Sequence, residues 1–311
     1  MTTNTLLSFV FVFVLASSTL AVWPMRMAGR FTTLDSVRVW WLAPKYAWMT
    51  ATLASALGPP ITEGIKDQLW YAAAVLSLCP LIAILGARRP GSAWWSWFIV
   101  VPLVCVMGWP AAEAWQIGWP PEPLVLDAPV VIGYAFVLVM GLGNYFGTCF
   151  TLPAIVLAAA ALLNVSTFWH DRPDWMPVAA WSHLVATAGV IAATFWAAIG
   201  FRSRGVSAWP LERAWLDFRN LFGIVWARRV QEQFNDTARR SAWPVRLGPL
   251  GFVAETGQRV DPTTIDAATS DAMEAWLRWL LRRFVDPGWI DSRVRPTAVH
   301  SGSTGTTGVG G

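Results

Sequence analysis

The stretch that decides the fold is LWYAAAVLSLCPLIAILGARRPGSAWWSWFIVVPLVCVM (Leu69–Met107), in which two arginines separate two long apolar runs. Each run approaches the roughly 20 residues that a helix needs to cross about 30 Å of hydrocarbon. Arg88 and Arg89 precede a Pro-Gly pair, which is typical of a tight turn, and cytoplasmic turns collect basic residues. The stretch therefore predicts a transmembrane hairpin whose arginines reach anionic lipid headgroups.

The composition extends this interpretation to the first two-thirds of the chain. Of 311 residues, 55% are hydrophobic and 14% are charged, whereas about 25% are charged in soluble proteins. Residues 202–311 carry 15 of the 23 basic and 11 of the 19 acidic side chains. We predict an all-α, polytopic membrane protein with a transmembrane domain over 1–201, a cytoplasmic amphipathic region over 202–290 and a disordered tail over 291–311.

The number of crossings depends on one segment of weak hydrophobicity, residues 46–62. If it crosses, there are seven spans and the N terminus lies outside; if it does not, there are six and the N terminus lies inside. Seven spans place more of the basic residues that follow the first span inside, and the positive-inside rule therefore favours seven. That first span is expected to be retained, because no charge precedes it. The other predicted spans are 6–23, 68–87, 93–112, 126–146, 148–168 and 177–201. The basic residues at issue are Arg26, Arg30, Arg38 and Lys45.

Two amphipathic helices are predicted in the C-terminal region, one over about 210–240 and one over about 271–284, because apolar residues recur there at steps of three and four. WPVRLGPLGFV (Trp243–Val253) between them is predicted to be extended or a hairpin. Two arrangements remain open: the helices lie on the cytoplasmic leaflet, or their apolar stripes pack on each other as a small domain. In the first, the arginines would meet anionic headgroups. The arginines concerned are Arg228, Arg229, Arg282 and Arg283.

Ionisable groups inside a bilayer are costly and mark candidate sites. No predicted span carries a carboxylate, lysine or arginine at its midplane, which argues against an ion-coupled transporter. His170 and His183 are weak candidates for binding a cofactor, and we favour interfacial anchoring or hydrogen bonding for them. GLGNYFG (Gly141–Gly147) has Asn144 where the GxGD element of intramembrane aspartyl proteases has its carboxylate, so helix packing or a turn is predicted. We predict no catalytic residue, metal site or cofactor.

The function that these patterns favour is that of an accessory or scaffold subunit, which docks through its basic cytoplasmic region. A transporter or carrier for an apolar or zwitterionic substrate is an alternative. A membrane enzyme or haem-handling protein that uses the outer His/Asp loop is another. The expected location is the bacterial cytoplasmic membrane, with the C terminus in the cytoplasm. The expected partners are the lipid bilayer, anionic phospholipid headgroups and other membrane protein subunits, but not nucleic acid.

Overall fold

The computed structural model describes residues 3–35, 37–58, 60–86, 93–170, 179–203, 207 and 209–294. These residues are mostly helical, and four helical segments are long and apolar enough to cross a membrane, so the predicted fold class is confirmed at that level. The four segments are Asn4–Ala28, Glu63–Leu85, Trp97–Ile117 and Ala179–Arg202.

The apolar part of the chain consists of long helices, one for each of the seven runs considered above. Their bounds are α1 Thr3–Ala21, followed by the short α2 Trp23–Ala28, then α3 Val37–Leu57, α4 Glu63–Leu85, α5 Ala93–Ile117, α6 Ala128–Gly143, α7 Thr151–Ser166 and α8 Ala179–Ser203. Two of them, α6 and α7, have 16 residues each and are shorter than a full span.

The weak segment 46–62 forms most of α3, which ends at Leu57, before the proline pair. This helix begins nine residues earlier than the sequence suggested. Arg38 and Lys45 therefore lie within a helix rather than in a loop, which corrects the expectation for them. Lys45 is accommodated because its long side chain reaches the carbonyl oxygen of Ala16 on α1, with an Nζ–O distance of 3.1 Å.

The hairpin of α3 and α4 is joined by two tryptophans. The indole nitrogen of Trp48 donates to Ser77 Oγ and that of Trp70 donates to Ser55 Oγ, each at 3.0 Å. The two rings meet edge to face, with centroids 5.6 Å apart. These contacts satisfy the polar edge of each ring inside an apolar bundle, and they fix α3 and α4 as antiparallel neighbours.

Helices α1 and α5 are covered least by the rest of the protein. Their outward faces present large apolar side chains such as Phe13, Leu20, Phe98 and Val106, which are 68–76% exposed. Apolar side chains facing outward along a whole helix are what a lipid-facing helix presents.

The C-terminal part folds as a domain, which contains α9 Pro210–Arg240, β1 Val245–Gly248, β2 Gly251–Ala254, α10 Ala267–Leu281 and α11 Pro287–Val294. The apolar stripes of α9 and α10 meet in one core whose members include Phe218, Phe222, Leu277 and Phe284. The stripes of α9 and α10 thus pack on each other, as in the second of the two arrangements left open, and Phe150 and Phe201 of the bundle belong to the same core. Residues 291–294, expected to be disordered, belong to α11, because Trp289 and Ile290 are buried in that core.

The antiparallel hairpin of β1 and β2 lies on α9 and is held there by polar side chains of the helix. Asn235 donates to the carbonyl oxygen of Leu247 at 2.9 Å and accepts from its N–H at 2.7 Å. The indole nitrogen of Trp215 donates to the carbonyl oxygen of Gly248 at 3.0 Å. Asn235 thus occupies the outer edge of β1, which would otherwise present unpaired backbone groups.

Candidate functional site at the junction of the bundle and the C-terminal domain

The C-terminal domain contacts the apolar bundle at the ends of several of its helices, and we call this set of contacts the junction. The domain reaches the segment after α2, the last turn of α4 and the turn between α6 and α7. The bundle residues that take part through hydrogen bonds are Ala28, Phe31, Thr33, Ile84, Asn144, Tyr145 and Cys149.

The centre of the junction is a break in α9 at Gly223, which is clamped by Asn144. Gly223 has φ 79° and ψ 179°, so the helical hydrogen-bond ladder is interrupted there. Asn144 Nδ2 donates to the carbonyl oxygen of Phe222 and Asn144 Oδ1 accepts from the N–H of Val225, both at 3.0 Å. A Cβ at position 223 would lie 2.2 Å from Asn144 Nδ2. A turn or packing role was predicted for Asn144, and its partner is the break in α9 at Gly223.

Side chains on both sides of this break extend the contact. The indole nitrogen of Trp226 donates to the carbonyl oxygen of Ile84, near the end of α4, at 3.3 Å. The hydroxyl of Tyr145 donates to the carbonyl oxygen of Leu221 at 3.4 Å. The middle of α9 is therefore fixed across the end of α4 and the turn that follows α6.

A second set of contacts ties the end of the domain to the segment after α2. Thr33 N–H donates to the carbonyl oxygen of Phe284, and Asp286 N–H donates to that of Phe31, both at 2.8 Å. The two segments pair like short strands. Phe31 has φ 60°, which is rare for a residue with a side chain, and its ring is 64% exposed.

A largely buried ion pair joins α11 to α9 next to this contact. Arg293 Nε lies 2.8 Å from Asp217 Oδ2, and the two side chains are 14% and 11% exposed. The guanidinium also lies 3.8 Å from the ring centroid of Trp289, whose indole nitrogen donates to the carbonyl oxygen of Ala28 at 2.9 Å. The pair therefore holds α11 on α9 and orients the tryptophan that reaches the bundle.

The structure brings two of the predicted arginine clusters to the same side of the domain. The guanidinium carbon of Arg229 lies 4.9 Å from the ring centroid of Trp226. The ring of Trp226 lies 5.2 Å from that of Phe284, which directly follows Arg282 and Arg283 in the chain. These two arginines stack on Trp279, at 5.0 and 5.3 Å.

The remaining predicted arginines behave differently. Arg228 points away from the domain, and its Nε pairs with Glu232 at 3.0 Å, with both side chains well exposed. Arg88 and Arg89 lie outside the described residues, so their role in a cytoplasmic turn stays a prediction.

His170 and His183 lie in different surroundings. His170 is exposed just after α7, with its N–H bonded to the carbonyl oxygen of Leu126 at 3.1 Å. His183 is 7% exposed and its ring stacks flat on Trp70, with centroids 4.4 Å apart. Its Nδ1 lies 2.9 Å from Asn164 Oδ1. Asp171, Arg172 and Asp174, the other charged residues of the predicted His/Asp site, lie outside the described residues.

The proton on His183 follows from its neighbours. Asn164 Nδ2 lies 3.0 Å from the carbonyl oxygen of Trp70, which can only accept, so Asn164 must turn its oxygen toward the histidine. Nδ1 of His183 therefore carries the hydrogen. Sequence reasoning missed this pairing, although a polar residue in an apolar run, such as Asn164, is the signal for it.

Two charged groups near the ends of α10 have shifted pKa values. Asp266 begins α10, where its Oδ1 accepts from Thr269 N–H at 2.8 Å, and this hydrogen bond holds its pKa below the usual range. Burial lowers the pKa of Arg278, but hydrogen bonds to Asp291 and Glu274, both at 2.7 Å, outweigh it, and the pKa is raised. Both interactions stabilise α10 and its contact with α11.

The chain was compared with known proteins. No protein-family model, no curated protein and no solved structure matches it. Within the described ranges, no group of three or more His, Cys, Asp or Glu residues is placed to hold a metal ion. At the junction, polar side chains of the two parts of the chain meet, with the Asn144 clamp at its centre, and we take it as the candidate site.

Proposed function

We propose that this chain is a bacterial cytoplasmic-membrane protein that crosses the bilayer seven times, with its N terminus outside. Its C-terminal domain lies in the cytoplasm, where it serves as the docking platform of an accessory or scaffold subunit. The main support for this proposal is which helix ends of the bundle the domain contacts.

A water-exposed domain can touch helix ends on only one side of a bilayer, because about 30 Å of hydrocarbon separates the two sides. The domain bonds to Ala28, just after the first long helix, and to Ile84, near the end of α4. With seven crossings these two ends lie on the same side. With six crossings, in which 46–62 does not cross, they lie on opposite sides. The contacts therefore support seven.

The platform role is supported by how the domain uses its surfaces. Its apolar stripes are buried in a core that Phe150 and Phe201 of the bundle share, and its exposed face carries charged side chains. Several separate contacts fix it on the bundle, at Ala28, Ile84 and Asn144. A rigid surface loses little conformational freedom when a partner binds, which favours docking.

The topology is tested by labelling single cysteines in intact cells with an impermeant thiol reagent, after the three native cysteines have been replaced. Glu122→Cys should be labelled and Glu255→Cys should be shielded, whichever number of crossings is right. Arg30→Cys decides between the two arrangements: seven crossings predict shielding. Labelling of Arg30→Cys from outside would refute the seven-crossing proposal.

The subunit role is tested separately by purification in a mild detergent followed by native mass spectrometry. We expect a complex that contains at least one other membrane protein in a fixed ratio. The comparison uses the Asn144→Ala variant. Because it loses the clamp, its C-terminal domain should be held less firmly and should retain less of the partner. A species with the mass of one chain under all mild conditions would contradict the proposal.

A further inference from the structure

We propose that the junction carries a binding surface for anionic phospholipid headgroups. It is formed by Arg30 and Phe31 from the segment after α2 and by Arg229, Arg282 and Arg283 from the C-terminal domain; we call it the basic surface. Its placement at the inner leaflet rests on the topology proposed above.

The depth of the basic surface is set by Trp226. Its indole nitrogen bonds to the carbonyl oxygen of Ile84, and α4 ends one residue later, at Leu85. The end of a spanning helix lies where hydrocarbon gives way to headgroups, a layer about 5–7 Å thick on each side. Arg229, stacked on Trp226, is thereby held at the level of the lipid phosphates.

The segment after α2 reaches the same level from the other helix. Because Thr33 and Phe31 bond to Phe284 and Asp286, the pair Arg30–Phe31 lies beside the end of α10 and its two arginines. The backbone conformation of Phe31 directs a large apolar ring outward, where it is 64% exposed. An exposed aromatic ring next to an arginine suits the interface between headgroups and acyl chains.

The arginines of the basic surface differ from the others in their charge partners. Arg228, Arg239, Arg246, Arg278 and Arg293 are each paired with a carboxylate. Across the part of the chain that the structure describes, no salt bridge involves Arg30, Arg229, Arg282 or Arg283, and all four are exposed. The segments that meet here also contain the carboxylates of Asp35 and Asp286. Four arginines against two carboxylates leave positive charge in excess.

Stacking on tryptophan prepares three of these guanidinium groups for phosphate. A guanidinium that lies on an aromatic face keeps its N–H edge free and loses less rotamer freedom when it binds. That edge matches two oxygens of a phosphate in a bidentate arrangement. Arg282 and Arg283 share Trp279, and Arg229 uses Trp226. The basic surface thus offers oriented donors at the depth where lipid phosphates lie.

The test uses the full chain in detergent, titrated with phosphatidylglycerol or phosphatidylcholine and read by native mass spectrometry. The variant replaces Arg229, Arg282 and Arg283 by Gln. Its matched control replaces Arg228, Arg239 and Arg246, three carboxylate-paired arginines, by Gln. Near an anionic surface each basic residue strengthens binding about fivefold, so the first variant should bind phosphatidylglycerol about 100-fold more weakly. The control should bind like the wild type.

Two further experiments show whether the basic surface binds a lipid or free phosphate. Phe31→Gly, which suits the positive φ, should weaken the retention of both lipids, because the apolar contact is lost. Millimolar inorganic phosphate should not displace phosphatidylglycerol; displacement would indicate a site for free phosphate and overturn the proposal. Equal losses in the two triple variants, or equal affinity for the two lipids, would also overturn it.

The lipid measurement does not depend on which side of the membrane the domain occupies. If Arg30→Cys is shielded and the triple Gln variant binds lipid like the wild type, the basic surface is refuted and the proposed topology stands. Lipid binding as expected together with a labelled Arg30→Cys would instead refute the topology alone.

Discussion

Replacing Asn144 with alanine should release the break in α9 from the bundle. The side chain makes two hydrogen bonds to backbone groups, the carbonyl of Phe222 and the N–H of Val225, and Asn144 itself is 2% exposed. A buried backbone group left without a partner costs about 1–3 kcal/mol. Two such groups give a loss of roughly 3 kcal/mol in the free energy of local opening, since water entering the gap recovers part of the cost.

The assay is hydrogen exchange followed by mass spectrometry on the full chain in detergent. A loss of roughly 3 kcal/mol corresponds to about 100-fold faster exchange, and we expect it in peptides that cover 220–230. The matched control is Asn235→Ala on the same helix, because Asn235 also bonds to one N–H and one carbonyl, those of Leu247. Its faster exchange should be confined to the hairpin and the adjoining turn of α9.

The reasoning would be refuted if Asn144→Ala left exchange at 220–230 unchanged. It would equally fail if the two variants accelerated the same peptides, since the domain would then open as a whole and the clamp would have no separate role. Unfolding temperatures of both variants, measured in the same detergent, distinguish local release from global unfolding.

Three other changes test the junction and the domain core. Gly223→Ala should lower the free energy of unfolding by roughly 3 kcal/mol, because it combines a strained φ with a clash against the clamp, and the thermal midpoint measures this. Arg293→Met should cost about 3–5 kcal/mol by leaving the Asp217 carboxylate without its guanidinium, whereas the double variant with Asp217→Asn should recover part of that loss in the same melt. The pKa of Asp266 is lowered in the folded state, so its stabilisation is present above its unfolded pKa, near 4, and is lost as pH falls through the folded value; Asp266→Asn should therefore flatten the acid limb of a plot of stability against pH.

The sequence predicted the helices well because each long apolar run must satisfy its backbone groups internally. The start of α3 was placed too late, since Arg38 and Lys45 suggested a loop. We had assumed that a charged residue would not lie in a helix packed in an apolar bundle. A long side chain can nevertheless reach a backbone carbonyl near the helix end. Lys45 does so at Ala16, and this contact depends on the position of α1, which the local sequence does not contain.

The junction was not predictable because its parts are distant in the chain. Asn144 stands in a glycine-rich turn and Gly223 interrupts an amphipathic pattern, and each is visible in the sequence by itself. A glycine within a helix costs about 1 kcal/mol relative to alanine, but the predicted helix over 210–240 ran through Gly223 without a break. Nothing local indicates that this break lies on Asn144, or that Trp226 and Phe284 bring separate arginine clusters together.

The separate contacts of the junction have a joint consequence that none has alone. Once the domain is held at Ile84 and Ala28, the Asn144 clamp re-forms as an intramolecular event at high effective concentration. Losing one contact therefore loosens the domain locally, while the others keep it on the bundle. Detachment requires the loss of the clamp and of the contacts made by Trp226, by Trp289 and by the segment 284–286. A domain attached in this way can tolerate a local opening of α9 without losing its position.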